Sequence, residues 1–344
     1  MKLSQFIYPV PKALIATSLK LPRDSAKLMV LKRDGETIEN HKFKNVIDYM
    51  NAGDVLVLND SKVFPAKLYG TKEKTKAKIE VFLLRQLNVE ENIWDVIVDP
   101  ARKVRIGNRI FFTKNLYCEV IDNTTSRGRI VRFNVQGDFS KVIDKLGKTP
   151  LPEYIKRAPT DKDKVEYQSV FAKKVGSVVA PGSGLHFTPE LLKKIEAKGV
   201  KLAYVTMHTG LGTYRLVEVE DLSKHKTDSE FFEITPENVE IINNSISKKG
   251  KIIAVGTSVA RVLEANIVTT RSLRYAKGWT DKFIHPPNGM RVVDKLITNF
   301  HPPKSTLLML ACSFAGRDFI MKSYKKAVKD KYKFYAFGDS MMIV

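Results

Sequence analysis

Three of the chain's six histidines, His186, His208 and His301, stand in polar stretches that also hold carboxylates, hydroxyls, glycines and cations. Residues 208–215, HTGLGTYR, offer His208, Gly210, Gly212, Thr213 and Arg215. Residues 299–306 bring Asn299, His301, Lys304, Ser305 and Thr306, and Thr257 follows Gly256. Asp60, Asp228 and Glu230 add carboxylates, and APGSGLHFT at 180–188 carries His186. Imidazoles among carboxylates, hydroxyls and an arginine suit proton transfer on a polar or charged small molecule. No HxxxH, HxH or CxxC spacing occurs, so no catalytic metal set is expected. The GLG at 210–212 lacks the third glycine and the later acidic residue of a dinucleotide fingerprint, and Ser183 in GSGLH does not match the GxSxG nucleophile elbow. Plainer readings exist for several of these residues: a tight turn for Gly210 and Gly212, a satisfied core histidine for His186, and a helix cap for Ser305.

These residues gain meaning from the elements that must position them. GDVLVLND, VKLAYVTM, KIIAVG and VDKLITN read as buried strands, and each is followed by one of the polar stretches. Helix signals alternate with them. Thr188 caps a helix with Pro189 first and Gly199 as its stop, Thr235 and Pro236 open another, and a third starts near Ser305. Pro302 and Pro303 end the preceding strand, and the first-turn N–H groups beyond them could face an anion or polar ligand. Strand–helix alternation argues for a largely parallel sheet, and ligands gather beyond the carboxyl ends of such strands. The polar stretches should therefore share one rim.

Between Phe64 and Val135 the texture differs, with about six short β-rich pieces parted by Gly, Asn and Asp and no convincing helix. A small barrel or sandwich fits that spacing. We therefore expect a mixed, largely parallel α/β domain from 1–63 and 151–344, with a β-barrel-like domain inserted at 64–150. The 58 Lys and Arg residues outnumber 37 Asp and Glu, giving a formal charge of +21 that makes nucleic acid the first partner to consider. The two cysteines, Cys118 and Cys312, are far apart in apolar segments, which excludes a disulfide framework and fits a reducing compartment. No apolar run reaches a membrane span, and the N-terminus lacks a secretory pattern, so a cytoplasmic protein without membrane contact is expected.

Several motifs then become recognisable in order: LNDSKVFPAKLYG at 58–70, LPEYIKR at 151–157, YQSVFAK at 167–173, APGSGLHFT at 180–188, HTGLGTYR at 208–215, HKTDSEFFEI at 225–234, residues 291–316 and FGDSMMI at 337–343. Together they cover nearly the whole chain, which resembles the S-adenosylmethionine:tRNA ribosyltransferase-isomerases of queuosine biosynthesis. The resemblance implies an enzyme that moves the ribosyl part of S-adenosylmethionine onto a 7-aminomethyl-7-deazaguanine at the tRNA wobble position, giving epoxyqueuosine and releasing adenine and methionine. S-adenosylmethionine is then a consumed substrate, no cofactor is required, tRNA is the partner, and a monomer is expected. The family architecture, a mixed α/β domain with a smaller β-barrel, agrees with the insertion drawn from strand texture.

On this reading His208, Glu230 and Asp228 are the catalytic candidates. Asp60, His186, Gly210, Gly212, Thr213, Arg215, Thr257, Asn299, His301, Lys304, Ser305 and Thr306 are the substrate-binding ones. The chain departs from the family pattern where Asp228 replaces a histidine, where Gly182 and Ser183 replace Thr and Ala, and at Ser258, Val259 and Ala260. Replacing an imidazole by a carboxylate lowers the reference pKa by roughly 2.6 units, so a base at that position would change character. A non-catalytic, RNA-binding paralogue is the alternative.

Overall fold

The computed structural model describes residues 1–268 and 271–344. The chain forms two compact units, one from Met1–Lys62 with Glu166–Val344 and one from Val63–Val165.

In the first unit a nine-stranded mixed sheet runs, in spatial order, Ala276–Thr280, Glu230–Ile234, Lys201–Met207, Val55–Asn59, Ile252–Val255, Lys295–Asn299, Ser340–Ile343, Lys27–Lys32 and Thr37–Lys42. Its middle is parallel: Lys201–Met207, Val55–Asn59, Ile252–Val255 and Lys295–Asn299 all point the same way. Those strands are nearly continuous apolar runs because both of their faces are covered. Period-two alternation divides them between two cores. Val55, Val57, Ile252 and Ala254 face one apolar cluster with Val259, Val262, Leu263, Leu308 and Phe319 from the helices. Leu56, Leu58, Ile253 and Val255 face the other, with Phe43, Val46, Leu191 and Ile195.

Antiparallel pairing appears towards the margins. The link from Met207 to Glu230 carries only two 3₁₀ turns, Leu211–Tyr214 and Leu222–Lys224, so the next strand returns antiparallel. The expected helices are present as Pro189–Ala197, Pro236–Ser247 and Thr306–Ala315. Thr188 accepts from Leu191 N, and Gly199 takes φ +88° just beyond the first helix. A seven-residue 3₁₀ helix, Phe43–Tyr49, packs against the second core through Phe43 and Val46.

The second unit contains a closed six-stranded antiparallel barrel in the order Gly128–Val135, Ile93–Asp99, Lys78–Asn88, Lys67–Lys72, Arg109–Thr113 and Leu116–Asn123. Buried Val81, Leu83, Val96, Val98, Ile110, Cys118, Val120 and Val131 supply apolar side chains from five of these strands. Closure leaves no unpaired edge. This unit extends past residue 150. There Arg157 forms a two-pronged ion pair with buried Asp163 at 2.7 Å, and Lys164 Nζ donates to Asp144 O at 3.2 Å, so the stretch beyond the helix Phe139–Leu146 packs back onto its own unit.

Candidate active site

Four adjacent parallel strands end at Asn59, Met207, Val255 and Asn299, so their outgoing loops share one rim. Asparagines hold it. Asn59 donates to Met207 O at 3.0 Å and to Ser258 Oγ at 3.2 Å, while its Oδ1 accepts from Ser61 N and Met207 N. Asn299 Oδ1 accepts from Ser183 Oγ at 3.1 Å, and its amide nitrogen reaches Tyr335 O. Gly256, at φ +92°, stands before the helix Thr257–Asn266, and a Cβ there would come within 3.5 Å of Ser183 Oγ. This places Thr257 and the 182–184 turn beside Asn299.

His208 leaves the strand Lys201–Met207 with its ring fixed on several sides. Nδ1 lies 2.8 Å from Ser61 Oγ, which is 2.6 Å from Ser177 Oγ. The ring stacks on Phe231, with centroids 5.3 Å apart. Gly176 approaches so closely that a Cβ there would sit 2.5 Å from Nε2, so any side chain would displace the imidazole. Burial, helped by the positive charge of Lys174, pushes the imidazole down to about 4, so it is neutral at physiological pH. A neutral imidazole can accept a proton.

Glu230, the first residue of the strand Glu230–Ile234, is buried and accepts from Gly210 N at 2.7 Å and Thr213 Oγ1 at 3.2 Å. Its other oxygen pairs with Arg261 from the helix Thr257–Asn266, and Arg261 Nε donates to Lys282 O at 3.0 Å. A second link joins the same segments: Asp228 Oδ1 accepts from Arg215 at 2.9 Å, and a Cβ on Gly212 would strike the Asp228 carboxylate. Gly210 and Gly212 are thus places where side chains come close to backbone. Asp228 and Arg215 are both solvent-accessible, so their pairing is weak.

Asp60 sits behind the rim. Its Oδ1 accepts from Thr206 Oγ1 at 2.6 Å, and burial raises its carboxyl above the usual value. With Lys173, Lys174, Tyr204, Thr206 and Glu233 it borders a cleft of about 320 Å³. Lys174 pairs with Glu233 at 2.6 Å, and these are also the charges that act on His208.

The remaining candidates are placed differently. His186 is fully buried against Phe43, its Nε2 is 3.4 Å from Asn299 Nδ2, and burial lowers it to about 4. His301 lies in the core, with Nε2 2.7 Å from Thr298 Oγ1, its N–H bonded to Tyr324 Oη, its carbonyl accepting from Tyr8 Oη, and burial lowering the ring to about 3. Ser305 caps the helix Thr306–Ala315 through Leu308 N at 3.1 Å and donates to Pro302 O. Lys304 adopts φ +61° and bonds through its backbone to Phe6 and Val217. Thr306 opens the helix. Of the 299–306 stretch, Asn299 is therefore the residue tied to the rim network. Ser61, Gly176, Ser177 and Phe231, which hold His208, carry no chemical signature in sequence; only the position of Ser61 directly after Asn59 and Asp60 hinted at it. Among the described residues no cluster of His, Cys, Asp or Glu could hold a metal ion, and no helix is long and apolar enough to cross a membrane.

The model of a family described as queuosine biosynthesis protein matches residues 3–343. Proteins called S-adenosylmethionine:tRNA ribosyltransferase-isomerase match over the full length of both chains, at 55% identity in Chloroherpeton thalassium and 50% in Cytophaga hutchinsonii. The crystal structure of an S-adenosylmethionine tRNA ribosyltransferase from Thermotoga maritima is similar at TM-score 0.57 and 35% identity, covering 99% of this chain and 100% of that one. With two cores around a mixed sheet, a separate six-stranded barrel and this end-to-end similarity, the chain belongs to the queuosine-biosynthesis family of S-adenosylmethionine:tRNA ribosyltransferase-isomerases.

Proposed function

We propose that the protein transfers the ribosyl part of S-adenosylmethionine to the aminomethyl group of a 7-deazaguanine at the tRNA wobble position, yielding epoxyqueuosine with loss of adenine and methionine. S-adenosylmethionine is a consumed substrate here, without a separate cofactor, and the enzyme works as a cytoplasmic monomer. The observation that carries this reading is His208, held neutral at the carboxyl end of a central strand with Nδ1 engaged by Ser61. The sulfonium makes its neighbouring C–H acidic, so the first demand on the protein is a base that is unprotonated and correctly placed. A group with a value of about 4 is unprotonated at neutral pH.

The buried pair of Glu230 with Arg261 holds the 210–213 turn next to Asp228, so we assign Glu230 a positioning role and Asp228 with Arg215 an adjustable polar contact at the rim. Asp60 at the neighbouring cleft offers a carboxylate for a sulfonium or an ammonium, whereas Glu233 there is already paired with Lys174. Asn299 and the Gly182–His186 turn form a further polar wall, with His186 orienting Asn299 from behind.

Incubation with S-adenosylmethionine and tRNA bearing the aminomethyl deazaguanine should release adenine in proportion to modified tRNA. Absence of release at every protein concentration, with tRNA still bound, would instead support an RNA-binding paralogue. Asp228, standing where the family pattern reads histidine, is the feature that favours that second reading.

A further inference from the structure

The antiparallel margin of the large sheet has one covered face and one that opens at its edge strand. Phe232, Ile234 and Ala276 point into the helix-side core. The opposite face carries Phe231 and Glu233 on one strand and Lys277 and Trp279 on the edge strand Ala276–Thr280, paired in register as Phe231 with Trp279 and Glu233 with Lys277. Trp279 is 55% exposed and Tyr275, two residues before Lys277, is 53% exposed, large apolar surfaces for an edge strand to leave uncovered. Aromatic contact continues inward from the edge: Trp279 meets Phe231 edge-on at 5.9 Å, and Phe231 stacks on His208. Beside this aromatic row runs a charged one, in which Glu233 lies between Lys174 at 2.6 Å and Lys277 at 3.8 Å.

We propose that this face is a seat for unpaired nucleotides of the tRNA anticodon loop, with one base stacked on Trp279 and a backbone phosphate met by Lys277. The inference rests on the tRNA-modifying function proposed above. Aromatic and cationic side chains alternating on an open sheet face are what single-stranded nucleic acid requires, because bases present flat π surfaces and phosphates present charge. An edge strand leaves room for a macromolecule, whereas a small sulfonium substrate needs shielding from water. The charge fits as well: a chain at +21 attracts a polyanion, and the single carboxylate in the charged row is neutralised from both sides. The row ends at His208, so a nucleotide held at its outer end brings its neighbour towards the proposed base.

The test compares wild-type enzyme with Trp279→Ala and Trp279→Phe, each checked for an unchanged melting temperature. Adenine release by the wild type in the presence of tRNA bearing the aminomethyl deazaguanine tests the proposed function by itself, and tRNA binding by the three proteins tests the seat whether or not adenine is released. Trp279→Ala should raise the Kd for tRNA, and with it the KM, by roughly 5- to 150-fold, the contribution of one stacked base, and Trp279→Phe should recover part of the loss. KM for S-adenosylmethionine should stay constant. The chain has two tryptophans, so an unmodified anticodon stem-loop should quench the fluorescence of the wild type more than that of Trp279→Phe. Equal tRNA affinity in wild type and Trp279→Ala overturns the proposal. A raised KM for S-adenosylmethionine with unchanged tRNA affinity also overturns it, and places the adenine of the sulfonium substrate on this face.

Discussion

His208 is the residue on which the proposed chemistry turns, and its environment makes the assignment testable. Burial and Lys174 hold the imidazole at about 4, so a base at this position stays competent as pH falls well below the ordinary histidine value. The acid limb of kcat/KM should accordingly lie near pH 4 to 5; a limb near 6.5 would mean that another group is titrating. His208→Ala should lose on the order of 100-fold or more in turnover with tRNA affinity nearly unchanged. Glu230 makes a different prediction. It is buried with Arg261, so Glu230→Ala leaves a guanidinium without its partner and should cost about 3 kcal/mol of stability, visible in urea unfolding. Asp228→His restores the residue of the family pattern at an accessible site, and an unchanged pH–rate profile would show that this position does not titrate in the limiting step.

Elements decide which of the polar residues meet. The strands Lys201–Met207, Val55–Asn59, Ile252–Val255 and Lys295–Asn299 were legible as apolar runs, and their parallel order follows from the crossovers that link several of them. Their shared rim was therefore foreseeable. The fate of each loop residue was not. Ser305 and Lys304 follow a strand just as His208 does, yet Ser305 spends its hydroxyl on the helix Thr306–Ala315. Ser305→Ala should destabilise the protein by about 1 kcal/mol through loss of the cap while leaving KM for both substrates unchanged. A raised KM without loss of stability would return Ser305 to the substrate site. Gly176 gives the opposite case, since nothing in KVGSVV signals that the backbone must pass against the His208 ring.

At the scale of the whole molecule, two buried histidines and the half-buried His208 bias the fold against acid. His186, His208 and His301 have folded-state values of about 4, 4 and 3, below the 6.5 of an unfolded histidine. Between those limits the unfolded chain binds more protons, so stability is complete above about pH 6.5 and falls as pH drops towards 4 and below. A melting temperature that stayed flat from pH 7 to pH 4 would contradict this. The excess of 58 basic over 37 acidic residues predicts that tRNA affinity falls with salt, with a slope of roughly −0.7 to −0.9 per phosphate contact. Composition, strand texture and ordered motifs by themselves determined the α/β class, the β-rich insertion, the basic character and the family, because these depend on local periodicity and on long strings of residues. Only the tertiary structure decided that His301 and Ser305 serve the fold, that Glu230 is locked to Arg261, and that Ser61, Gly176 and Phe231 set the His208 ring. Those outcomes depend on which side chains from distant segments share a buried space, and that is decided when the sheet is assembled.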